Sequence, residues 1–179
     1  MTPPPPPAPQ GSDEPAGWLT RRFQRLAQRP IASYLLHMYG EMAVLAIIAL
    51  VIMGGLDLPT RTDLAEMDAT RMLVFVLGVA PYLETLLFQA LGCGVARKLG
   101  LGFWPQVLFA WIPFFLAHLS VSLSTAICAG GVIGFYLSVT YVSQRSFSWR
   151  RAFYSTWALH VINNLVAIAV VYAAGGPGA

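Results

Sequence analysis

The chain has 179 residues, 56% hydrophobic and 11% charged, with a mean hydropathy of +0.62 and a formal net charge of +3. Soluble domains carry about 25% charged residues, so these values exclude an ordinary soluble domain and indicate an all-α, polytopic transmembrane bundle. The positive charge is no nucleic-acid footprint, because the basic residues cluster beside apolar spans.

Residues 1–30 read as a disordered, proline-rich tail followed by a basic flank. MTPPPPPAPQ lacks the apolar segment of a signal peptide. WLTRRFQRLAQRP follows. Trp18, Leu19, Phe23 and Leu26 form an apolar set that can lie on lipid, with Arg21, Arg22, Arg25 and Arg29 on anionic headgroups. The simpler reading is a basic flank that fixes topology. The membrane domain covers 31–175, with spans at roughly 34–54, 72–95, 104–124, 126–143 and 152–174. The third and fourth nearly touch. Asp57, Asp63, Glu66 and Asp68 make the first loop acidic. Cys93 and Cys128 lie in or beside spans and predict no structural disulfide.

Basic residues set the orientation. The N-terminal flank, the loop with Arg97 and Lys98, and the loop with Arg145, Arg150 and Arg151 hold nine of the eleven Lys and Arg. Five spans put all three on the cytoplasmic side, with the N-terminus inside and the C-terminus outside. Arginine outnumbers lysine ten to one, a bias of GC-rich bacterial genomes, so the expected location is a bacterial inner membrane.

A carboxylate in mid-bilayer costs roughly 2.5–3.5 kcal/mol on insertion scales, so the ionisable residues within spans are functional candidates. Glu84 lies in the second span, His118 in the third, His160 and Asn164 in the fifth, and His37 and Glu41 in the first. Residues four apart share a helix face, which pairs His160 with Asn164, Phe114 with His118, and His37 with Glu41. Pro81 removes a backbone donor near Glu84 and can open the helix there to water. Gly130, Gly131 and Gly134 allow close helix approach. A carboxylate can serve as general base to water, and imidazoles and an amide can donate to an oxyanion. Two histidines can instead hold a metal such as zinc, with the glutamate as base or third ligand. Either set suits attack of water on a peptide carbonyl. Each residue also has a structural reading, as a buried pair or an interhelical hydrogen bond. Ser120, Ser122 and Ser124 sit in no nucleophile motif, and neither does Cys93.

Three motifs in order carry a resemblance. PYLETLLFQA supplies Pro81, Glu84 and Phe88, then come Phe114 to His118 as FxxxH and His160 to Asn164 as HxxxN. The chain thus resembles the CPBP family of intramembrane endopeptidases, the group of CAAX prenyl proteases and bacteriocin-processing or abortive-infection proteins, over 72–170. The resemblance implies proteolysis within the membrane. Glu84 would activate water, while His118, His160 and Asn164 would position it and stabilise the oxyanion. The family has been described as metal-dependent and as glutamic-type; if a divalent metal such as zinc is used, His118 and His160 are its ligands. The implied partners are the lipid bilayer and a membrane-anchored or hydrophobic-tailed substrate, with no nucleic acid. Two positions depart from the family pattern. Its second Glu is Thr85 here and its Arg is Gln89, so both members of a possible ion pair are replaced by neutral hydrogen-bonding groups. The alternative is a catalytically silent binding or immunity protein of the same fold. A proton-coupled carrier has no internal repeat to support it.

Overall fold

A computed structural model describes residues 17–55, 70 and 72–173. The extreme N-terminal tail and most of the acidic first loop lie outside the described residues. Six helices and no strand occur among those described. They are α1 (Trp18–Ala27), α2 (Ile31–Gly55), α3 (Leu73–Lys98), α4 (Phe103–Leu119), α5 (Leu123–Arg145) and α6 (Trp149–Ala173). Four of them, α2, α3, α5 and α6, are long and apolar enough to cross a membrane. Their exposed surface is dominated by large apolar side chains such as Leu36, Val51, Val74, Leu123 and Val170, as lipid-facing helices require.

The predicted third span is shorter than expected. It stops at Leu119 rather than near 124, and its 17 residues make about 25 Å at a rise of 1.5 Å per residue. A shift of that span to 107–127 is also excluded, because a turn follows Leu119 and α5 begins at Leu123. Ser122 enforces the break. Its hydroxyl accepts from the Thr125 backbone N–H at 3.0 Å and caps the new helix. The serine triplet is thus explained by local capping: Ser122 also lies 3.0 Å from Ser124 Oγ, and Ser120 donates to the Ala117 carbonyl.

The start of the chain also departs from expectation. Trp18 and Leu19 are exposed, but Phe23 and Leu26 are buried in protein. Phe23 packs edge-on against Trp104 of α4 at 6.3 Å, and α1 lies on the last turns of α5. Arg151 fastens this end, donating to the Ala27 carbonyl at 3.0 Å and to Gln144 Oε1 at 2.6 Å. The α3–α4 and α5–α6 turns join the same end, and α1 and the start of α2 reach it too. These turns gather nine arginines and lysines at one end of the bundle.

The core is built where glycines let backbones meet. A Cβ on Gly92 would lie 2.7 Å from the Phe109 carbonyl oxygen, which is why α3 and α4 pack so closely. Gly130 of α5 rests on Phe115 Cα, and Gly134 on the Phe114 ring. Between them α5 is π-helical over Ala126–Ile133. The indole of Trp111 donates to the Gly130 and Gly131 carbonyls at 3.1 and 2.9 Å, binding α4 to that irregular stretch. Cys93 and Cys128 are free.

Candidate functional site

Helix α3 changes hydrogen-bond register around Pro81. It is π-helical over Met72–Val79, α-helical over Ala80–Glu84 and π-helical again over Thr85–Ala90. In a π-turn the N–H of residue 81 would serve the carbonyl of residue 76, and proline has no N–H. Asn164 supplies the missing donor: its side-chain amide donates to the Val76 carbonyl at 2.8 Å. The proline thus opens the helix as expected, and the opening is clamped by α6.

Glu84 ends the short α-helical segment. Its carboxylate Oε2 faces His160 Nε2 at 3.6 Å. The glutamate side chain is 30% exposed and the histidine 7%. His118 and His160 both pack on the Phe114 ring. The His118 ring is 4.4 Å from that of Phe114, and the His160 ring is 6.1 Å away. Phe88 closes on Phe114 edge-on at 5.3 Å. Phe114 itself is held by Gly134, where any Cβ would come within 2.4 Å of the ring.

Depth also agrees. Counted from the arginine-rich end at about 1.5 Å per residue, Glu84 and His118 lie some 21–23 Å in and His160 about 16 Å. His118 sits in the last turn of α4, near the far end of its helix as expected. Because α4 is short, its C-terminal turn ends level with Glu84.

The chemistry of each group follows from its partners. His118 Nδ1 lies 2.9 Å from the Phe114 carbonyl oxygen. That oxygen only accepts, so Nδ1 carries the proton and Nε2 is left as the basic nitrogen. His160 turns Nε2 to Glu84, while its Nδ1 is buried without a protein hydrogen bond. Asn164 is engaged two turns from Glu84, with Asn163 donating to its Oδ1 at 3.4 Å. The structure therefore brings Glu84 and His160 into contact, sets His118 on the same aromatic ring as His160, and holds Asn164 on the frame. Among the described residues no group of three or more His, Cys, Asp or Glu side chains is arranged to hold a metal ion. Glu84, His118 and His160 do not fit a zinc centre in this geometry.

Thr85 and Gln89 are both fully buried. They do not bond to each other. Thr85 Oγ1 and both amide atoms of Gln89 have no protein partner, since the π-helical turn rotates residues four apart away from a common line.

The first-span pair, His37 and Glu41, is in contact at 3.7 Å. Sequence reasoning missed its larger partner. Arg22 of α1 forms an ion pair with Glu41, and Tyr136 of α5 donates to Glu41 Oε2 at 3.3 Å. The available signal was an arginine on an amphipathic helix just ahead of a span that contains an acid.

Comparison of the chain with protein-family models, with curated proteins and with solved structures returns no match.

Proposed function

We propose that the protein is an intramembrane endopeptidase that hydrolyses a peptide bond in a membrane-anchored or hydrophobic-tailed protein. The observation that carries this reading is the Glu84–His160 contact at membrane depth, with His118 level beside it. Glu84 takes a proton from water as the water attacks the scissile carbonyl. His160 holds the carboxylate in place. The proton then passes from Glu84 to His118 Nε2, which donates it to the oxyanion and delivers it to the leaving amine as the C–N bond breaks, returning both groups to their starting states. Phe114 keeps the two imidazoles at a fixed separation. Asn164 acts by closing the turn above Pro81, and so fixes the height of Glu84. No step runs through a metal. The clustered arginines support a cytoplasmic N-terminus and an outer C-terminus, in an inner membrane of bacterial type.

A second reading has one observation in its favour. The Asn164 amide is already bound to Val76, and Thr85 and Gln89 lack charge, so the fold can also serve as a silent binding or immunity protein.

The deciding experiment co-expresses wild type or Glu84→Gln with membrane-tailed proteins from the same locus. Substrate termini are read by mass spectrometry, with and without a strong chelator. A cut that needs Glu84 and survives chelation is the expected result. Undiminished cutting by Glu84→Gln sinks the protease reading. A phenotype that survives Glu84→Gln, with no cut, selects the silent scaffold.

A further inference from the structure

Buried polar atoms are almost always hydrogen-bonded, and inside a bilayer there is no bulk water to serve them. This bundle nevertheless contains a set of them without a close protein partner: Thr85 Oγ1, the Gln89 amide, Thr156 Oγ1 and His160 Nδ1, with Ser143 Oγ and Gln144 Nε2 facing the Tyr34 hydroxyl at the lower end. All six residues are at most 5% exposed. None lies on the lipid face.

Their order along the bundle is informative. Measured from the arginine-rich end at about 1.5 Å per residue, Gln144 and Ser143 lie some 2–3 Å in, Thr156 about 10, Gln89 about 14, His160 about 16 and Thr85 about 20. Thr140, fully buried and 3.3 Å from the Tyr34 hydroxyl, falls at about 8 Å, inside the widest gap. A water that makes two hydrogen bonds of about 2.8 Å bridges groups about 5.5 Å apart, and successive levels differ by about that much or less. The helices that carry these groups are neighbours: α5 and α6 pack along each other, and the Thr85–Ala90 segment packs against both. Thr156 and His160 are one turn apart on α6, and Thr85 follows Glu84 directly. The lower end of the series meets Arg151, which holds Gln144.

We propose that these six side chains line a file of internal waters running from the arginine-rich end to the Glu84–His160 pair. That the file delivers the hydrolytic water rests on the protease reading; its existence does not. Each orphan atom gains a partner, and the carboxylate gains a source of water that does not cross lipid. In this light Thr85 and Gln89 are wet positions of the path, and their neutrality leaves no fixed charge to hold the waters still.

The test is hydroxyl-radical footprinting by X-ray radiolysis of the full chain in lipid nanodiscs, which oxidises side chains next to bound water. His160 is the reporter. Met42, fully buried in the apolar core and intrinsically reactive, is the dry comparator. The expected result is oxidation of His160 but not Met42, in wild type and equally in Glu84→Gln. Thr156→Val and Gln89→Leu should abolish the His160 signal, and Thr156→Ser should keep it. A dry His160 in wild type overturns the proposal. So does a His160 signal that survives both apolar replacements, because the water then arrives by another route. Should a variant also oxidise at Met42 it has lost its fold, and the decision rests on wild type against Thr156→Ser. A file seen in Glu84→Gln, with no substrate ever cut by wild type, leaves the water path standing and removes only the protease reading.

Discussion

Among the described residues the bundle contains two partly buried acids, and their surroundings differ. Glu41 is met by the Arg22 guanidinium, by His37 at 3.7 Å and by the Tyr136 hydroxyl at 3.3 Å. A permanent cation balances its charge, so nothing is gained by moving its proton. Glu84 is met by an imidazole at 3.6 Å on a helix whose register is broken by Pro81. Imidazole exchanges protons near neutral pH and guanidinium does not. The first arrangement ties helices together. The second leaves a base whose charge can change during a reaction. The acid alone does not mark a site; its partner does.

The sharpest way to break that comparison is to neutralise each acid in turn. Glu84→Gln keeps the shape and removes the base. The expected loss of cleavage is about 10²–10⁴-fold, the usual contribution of a general base, with the protein still inserted and folded. Glu41→Gln should leave the cleavage rate near wild type and lower thermal stability in detergent instead. Equal losses of cleavage in both variants would erase the distinction between the two centres.

The next effect concerns the ring on which both histidines pack. Gly134→Ala places a Cβ 2.4 Å from the Phe114 ring, and overpacking of this kind costs about 1–3 kcal/mol. Because Phe114 spaces His118 from His160, cleavage should fall together with stability. Gly40→Ala is the control. A Cβ there meets nothing within 4 Å, so it should stabilise α2 by about 0.5–1 kcal/mol with no effect on cleavage. Thermal unfolding and a cleavage assay on the two variants separate the outcomes. Gly134→Ala with full activity would show that the spacing of the imidazoles does not matter.

Much of the frame was legible in the sequence, because lipid imposes simple rules. Apolar runs marked the four long helices and the shorter α4, the arginine distribution placed one end, and the glycines of α5 marked a close helix approach. The length of α4 was not legible. Leu119 and Val121 are as apolar as the residues before them, and the helix ends because Ser122 caps the next one, a local bond that hydropathy does not register. The identity of the site was partly legible. Glu84, His118 and His160 do come together, though their catalytic roles are proposals. The commitment of Asn164 to Val76 follows from Pro81 only once the π-helical register is known, since in an α-helix the orphaned carbonyl would belong to residue 77. The burial of Phe23 and Leu26 was hidden for another reason: an amphipathic helix presents the same pattern to lipid and to protein.

Asn164 offers a smaller but more discriminating test, because its two roles predict different losses. Asn164→Leu removes the donor to the Val76 carbonyl. Interhelical hydrogen bonds in membranes average about 0.6 kcal/mol, with a maximum near 1.7, so a stability loss within that range is expected. If the residue works by closing the turn, Asn164→Gln, whose longer amide can still reach a carbonyl, should recover part of both stability and cleavage. If it touches the oxyanion directly, Asn164→Leu should instead lower the turnover rate with stability unchanged, and the longer amide should fail to rescue it.

The smallest expected effect is at the other acid. Arg22 and Glu41 are 31% and 25% exposed, so their pairing should contribute about 1 kcal/mol or less. A double-mutant cycle of Arg22→Ala and Glu41→Ala, read by thermal unfolding, measures it. A coupling well above that, accompanied by a loss of cleavage, would mean that α1 does more than fasten the bundle, because the charge pair would then be transmitting to a site on other helices. A small coupling with cleavage intact keeps the two acids separate, one holding the fold and the other serving the reaction.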